Sequence, residues 1–133
     1  MARTNTNPFQ ACELYLPRAL QKEITELVHR EGKDANLEFA PLYRTVDFWF
    51  VAACMTIEAG NAAETGDGAK GWKFNTGVVL RDNKVRIELM QLAAIGVTEN
   101  PYIIKEPGKI ANLFNDCAAL GAPELLDLVK TGQ

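Results

Sequence analysis

Three cysteines (Cys12, Cys54 and Cys117) and a single histidine, His29, have the strongest claim to nucleophilic or metal chemistry in this chain of 133 residues. The cysteines are widely spaced and form no C-x-x-C pair. Structural zinc sites draw on close pairs of Cys or His, so a zinc site within one chain is not expected and no cofactor is implied. The chain has no serine. A Cys–His nucleophile couple needs both side chains within hydrogen-bond reach, and no motif joins His29 to Cys12, Cys54 or Cys117. Cys54 and Cys117 fall in apolar helical patterns, where cysteine acts as a small core residue. His29 lies beside Arg30 and reads as a solvated helix position. Glu23 and Glu26 sit among Lys22 and Arg30 and read as helix surface rather than an acid–base couple. No catalytic residue is assigned, and an enzyme using Cys12 or His29 ranks last among the functional readings.

Two stretches invite a binding role. The run Thr65-Gly66-Asp67-Gly68-Ala69-Lys70-Gly71 has the glycines of a phosphate loop. It lacks the G-x-x-x-x-G-K-[ST] spacing, and neither Ser nor Thr follows Lys70, so it reads as a surface loop. Asp67 does not start a calcium loop, because Ala69 and Gly71 occupy the next ligand positions. Just beyond, Lys70, Lys73, Arg81, Lys84 and Arg86 stand against one acidic residue, Asp82, with Trp72 and Phe74 flanking Lys73. Cations interleaved with aromatics suit a phosphate backbone or an acidic partner surface. The competing reading turns Trp72 and Phe74 to the core, since alternate strand residues share a face.

The elements that would position these residues are mostly helical. A first helix is predicted from Pro17 to Glu31, with Leu20, Ile24, Leu27 and Val28 on one face and Gly32 as its stop. A second runs from a Thr45 cap to Gly60 and is apolar almost all round, from Val46 through Ile57. Such a helix belongs in a core or an interface, so Phe48, Trp49 and Phe50 are candidates for contact with a partner protein. The segment from Asn61 to Gly77 is irregular, with a short strand expected within 72–80. A third helix starts at Asp82 or Asn83, carries Val85, Leu89, Leu92 and Ala93 as one apolar stripe widened by Met90 and Ile95, and stops at Gly96. A fourth runs from Glu106-Pro107 to Gly121, and a short fifth starts at Pro123. The fold class is mainly α, a compact bundle of about five helices. Residues 1–16 are expected to be a partly flexible lead-in, and residues 17–133 one helical domain with a Gly-rich loop at 61–77.

Composition agrees with one globular domain: 47% of residues are apolar and 23% charged, and the length is that of a single domain. A net charge of −3 argues against a chain that wraps nucleic acid by itself, though not against a local basic patch. Residues 1–8 hold no signal-like apolar run and no stretch reaches membrane-span length, so a cytoplasmic address is the default expectation.

Four segments carry a family resemblance. They are Val46-Asp47-Phe48-Trp49-Phe50-Val51-Ala52-Ala53 leading to Gly60, Ile87-Glu88-Leu89-Met90-Gln91-Leu92-Ala93-Ala94, Ile103-Ile104, and Asn115-Asp116-Cys117-Ala118-Ala119-Leu120-Gly121. In this order they resemble the small family called dnd system-associated protein four, found beside bacterial DNA-phosphorothioation systems. The resemblance spans about Pro17 to Leu128; the long Gly-rich section departs from it. It implies an accessory component of a bacterial anti-phage or DNA-modification locus; it implies no known catalytic activity and supplies no active-site residues to carry over. The leading expectation is therefore a non-enzymatic interaction subunit. It would bind a larger protein through the second helix, with nucleic-acid backbone as a further contact through Lys70, Trp72, Lys73, Arg81, Lys84 and Arg86. The alternative is a small-molecule or nucleotide sensor whose Gly-rich loop closes over a ligand beside Trp72.

Overall fold

The computed structural model describes residues 7–33, 44–62, 71–81 and 83–131. In chain order the elements are strand β1 (Glu13–Leu16), helix α1 (Gln21–Lys33), helix α2 (Thr45–Glu58), strand β2 (Trp72–Thr76), helix α3 (Lys84–Thr98) and helix α4 (Pro107–Thr131). Short 3-10 turns at Arg18–Leu20, Gly77–Leu80 and Pro101–Lys105 join them. The fold is mainly α, as its composition and periodicity predict. The Gly-rich run at 63–70, including Lys70, lies outside the described residues, as do residue 82 and the segment 34–43.

Helix α2 is the core element. Its apolar circumference is satisfied inside the chain: Val46, Phe48, Trp49, Phe50, Ala52 and Ala53 are all buried. Its start is Arg44 rather than Thr45. The Asp47 carboxylate accepts a hydrogen bond from the Arg44 backbone N–H at 3.2 Å, which fixes Arg44 as the capping position and favours the helix dipole.

Helix α4 lies along α2 and is unbroken, where two helices divided at Gly121 were expected. Gly121 is interior because α2 passes directly over it. A Cβ there would run into the Ala52 carbonyl and come within 2.9 Å of Thr56 Oγ1. Alanines 111, 118 and 122 and Cys117 keep the rest of this contact thin. Pro123 is tolerated on the exposed side, and α4 runs through it. Helix α3 likewise passes through Gly96 and ends only where Glu99 turns left-handed at φ 57°.

From residue 7 onward the described N-terminal residues pack on the core. Phe9, Leu14 and Leu16 are fully buried, and β1 pairs antiparallel with β2 from Glu13↔Thr76 to Leu16↔Trp72. The register shifts between Leu14 and Tyr15, leaving Phe74 as the extra residue of a bulge. Two glycines allow this packing: a Cβ on Gly77 would collide with the Phe9 carbonyl, and one on Gly71 would lie 2.5 Å from the Leu16 carbonyl oxygen. Asn7 ties the same corner. Its Nδ2 donates to the Gly77 carbonyl at 2.7 Å, and its Oδ1 accepts from the Phe9 N–H at 2.9 Å.

Helix α1 follows a 3-10 turn instead of starting at Pro17, and continues through Gly32. Its face is the predicted one, with Ile24 and Leu27 buried and Leu20 and Val28 packed at the margin.

Candidate interaction surface

Among the described residues of the basic stretch, Lys73, Arg81, Lys84 and Arg86 have different surroundings. In β2 the side chains alternate, so Trp72 and Phe74 turn to the core while Lys73 faces out. The Phe74 ring lies 6.0 Å from Trp72 and 6.4 Å from Trp49. Trp49 and Phe50 in turn contact Phe114 at 5.8 and 6.0 Å. Lys73 reaches across the sheet to Glu13 at 3.4 Å, an exposed pair of small energetic weight.

Arg86 has an internal role. Its Nη1 donates to Asp47 Oδ1 at 2.6 Å, and its guanidinium stacks over the Phe50 ring at 4.8 Å. It couples α3 to α2 and is not available to a phosphate backbone. Of the cations named in the stretch, Arg81 and Lys84 are exposed at the N-terminal end of α3.

Phe48 and Trp49 retain no exposed surface and Phe50 very little, so these residues are core rather than a partner interface. The indole Nε1–H of Trp49 donates to Asn115 Oδ1 at 3.0 Å. The same oxygen accepts the Tyr15 backbone N–H at 2.8 Å, while Asn115 Nδ2 donates to the Glu13 carbonyl at 3.0 Å. One amide thus occupies the free edge of β1 as a further strand would.

Among the described residues, α3 carries three exposed large apolar side chains, Val85, Leu89 and Leu92. This helix carries two apolar stripes. Met90 and Ala94 are fully buried and Ile87 is packed at the core margin, all on one side. Val85, Leu89 and Leu92, predicted to share one stripe with Ala93, Met90 and Ile95, face solvent at 64%, 47% and 64% exposure. They recur at i, i+4 and i+7, so they form one face. The signal in the sequence was the second set at Ile87, Met90 and Ala94: a helix with two such sets has one more than its own chain needs. The following turn exposes Tyr102 and Ile104, with Lys105 over the Tyr102 ring at 5.6 Å.

The thiols are poorly set for catalysis. Burial raises the pKa of Cys12 and Cys54 above the ordinary thiol value. Cys117 is pushed up to about 11 by burial, then by the charges of Asp116 and Cys54. His29 is exposed on α1. Among the described residues no group of three or more His, Cys, Asp or Glu side chains is placed to hold a metal ion, and no helix is long and apolar enough to cross a membrane.

Comparison with family models, with curated proteins and with solved structures finds no match to this chain.

Proposed function

We propose that this protein is a non-enzymatic interaction module that docks to protein through the outward face of α3. The observation that carries this reading is the exposure of Val85, Leu89 and Leu92 on one helical face, while the same helix buries Met90 and Ala94. Contiguous exposed apolar surface of this kind marks interaction sites. The raised thiol pKa values support a non-catalytic role, since the protonated thiol is a poor nucleophile. The resemblance to dnd system-associated protein four suggests the setting: an accessory subunit of a bacterial defence or DNA-processing assembly that works inside the cell beside a larger protein. Direct contact with nucleic-acid backbone is the weaker reading, because Arg86 is held within the chain by Asp47.

The test is affinity capture from the cells of origin with the wild-type chain and with Leu92→Glu, read by quantitative mass spectrometry. Leu92 is exposed, so the variant is expected to keep the wild-type melting temperature and to lose a partner selectively. Capture of the same set of proteins by both chains removes the α3 docking reading.

A further inference from the structure

We infer that the outward face of α3 is where two copies of this chain meet, packed antiparallel about a twofold axis. This rests on the reading of that face as a docking surface and names its occupant. The stripe of Val85, Leu89 and Leu92 continues to Gly96, at steps of four, three and four residues. That is the a/d spacing by which two helices pack knobs into holes. Gly96 is exposed, and a Cβ there would meet nothing within 4 Å among the described residues. The chain's own packing therefore gives no reason for a residue that weakens the helix relative to alanine. In an antiparallel pair Gly96 of one copy faces Val85 of the other, and Leu89 faces Leu92. A small residue is then set against a branched one, and two leucines fill the centre.

Charge selects the same occupant and the same direction. Helix α3 opens on Lys84 with no acid in its first turn, and it closes on Glu99 with no base in its last turn. Both charges oppose the helix dipole, which favours acids at the start and bases at the end. Glu99 also holds a left-handed cap, φ 57°, where glycine or asparagine is the usual residue. At roughly 100° per residue, Lys84 and Glu99 lie within about 60° of each other on one flank of the stripe. A twofold antiparallel pair brings Lys84 of each copy beside Glu99 and the C-terminal carbonyls of the other. A parallel pair would place the two Lys84 side chains on opposite sides of the seam at the same end, with neither beside Glu99. Arg86, on the opposite flank, is already held by Asp47 and does not oppose the approach. This self-complementarity is what a twofold interface requires. The stripe from Val85 to Gly96 is about 17 Å long, short for a permanent interface, so the dimer should dissociate on dilution.

Sedimentation velocity of the purified full chain, from micromolar to millimolar concentration, is expected to show reversible monomer–dimer exchange. Leu89→Glu should weaken the dimer at least tenfold while leaving the melting temperature of the dilute chain unchanged. Lys84→Glu and Glu99→Lys should each weaken it, and the double variant should restore it to within a few-fold of wild type. In mild oxidant, a mixture of Val85→Cys chains and Gly96→Cys chains should cross-link, while Val85→Cys alone should not. A chain that stays monomeric throughout overturns the inference. So does a dimer indifferent to Leu89→Glu, or one in which Val85→Cys cross-links to itself. A monomeric chain whose Leu92→Glu variant still loses a captured partner removes only the second copy and leaves the docking reading in place.

Discussion

Asn115 is the residue on which most of the interior's polar balance depends. It satisfies the Tyr15 N–H, the Glu13 carbonyl and the Trp49 indole, which belong to β1 and α2, from a position on α4. Leucine shares its branching at Cγ, though it is larger, and would leave all three groups without that partner. Each unsatisfied buried group costs about 1–3 kcal/mol, so Asn115→Leu is expected to cost on the order of 3 kcal/mol or more in urea unfolding. A loss under 1 kcal/mol would show that water replaces the amide. Asp47 and Arg86 form the second such node. The Asp47 side chain is almost entirely buried and Arg86 mostly so, at 4% and 20% exposure. Arg86→Met leaves the buried carboxylate with only the half-exposed Arg44 guanidinium at 3.5 Å as a cationic partner, which should cost on the order of 2 kcal/mol. In a double-mutant cycle, adding Asp47→Ala should cost much less than it does alone, because the charge that Arg86 compensated is then gone. Independent, additive effects would show that the pair is not coupled. Neither node is signalled by spacing, since each joins residues far apart in sequence through a single side chain.

At the scale of the helix, two interior glycines should respond in opposite ways. Gly121 is where α4 crosses α2, and a methyl group there meets the Ala52 backbone rather than a side chain that can turn aside. Gly121→Ala is therefore expected to destabilise by roughly 1–3 kcal/mol despite alanine's better helix propensity. Gly96 has open space around it, so Gly96→Ala should stabilise the dilute monomer by about 0.5–1 kcal/mol. Chemical denaturation of both variants checks the pair, and a common sign would contradict the packing at one of them. The same contrast shows what the sequence makes legible. Apolar periodicity locates α1, α2 and α3 and the mainly α class, because burial on one chain's own core produces that periodicity. It does not tell a glycine that ends a helix from one that admits a neighbour, so Gly121 and Pro123 read as a break in a helix that is continuous. Nor does it say which of two apolar stripes on α3 is covered. The aromatic run Phe48-Trp49-Phe50 looks like an interface for the same reason: apolarity records that a residue is covered, not by which chain.

For the molecule as a whole, the thiols make stability depend on alkaline pH. The folded state holds the protons of Cys12, Cys54 and Cys117 more tightly than an unfolded chain does, chiefly because burial penalises the thiolate. Between the unfolded thiol value, about 8.5, and the folded value for Cys117, about 11, the native state therefore binds more protons. Stability must then fall as pH rises across that window. The contribution is present in full below pH ~8.5, and it is lost progressively as pH approaches the folded value. With Cys117 fully buried, its share of the loss is on the order of 3 kcal/mol by pH 11. Urea unfolding at intervals from pH 8 to 11 should show this decline in the wild type. It should show a shallower one in Cys117→Ala, whose neutral-pH stability is lower from the lost sulfur but whose slope lacks the largest thiol contribution. Equal slopes in the two chains would place the alkaline sensitivity elsewhere and would show that Cys117 titrates near its unfolded value. The comparison also bears on function. A thiol that stays protonated to high pH cannot serve as a nucleophile at neutral pH, and a wild-type slope steeper than the variant's would leave Cys117 as a core residue holding α4 against α2.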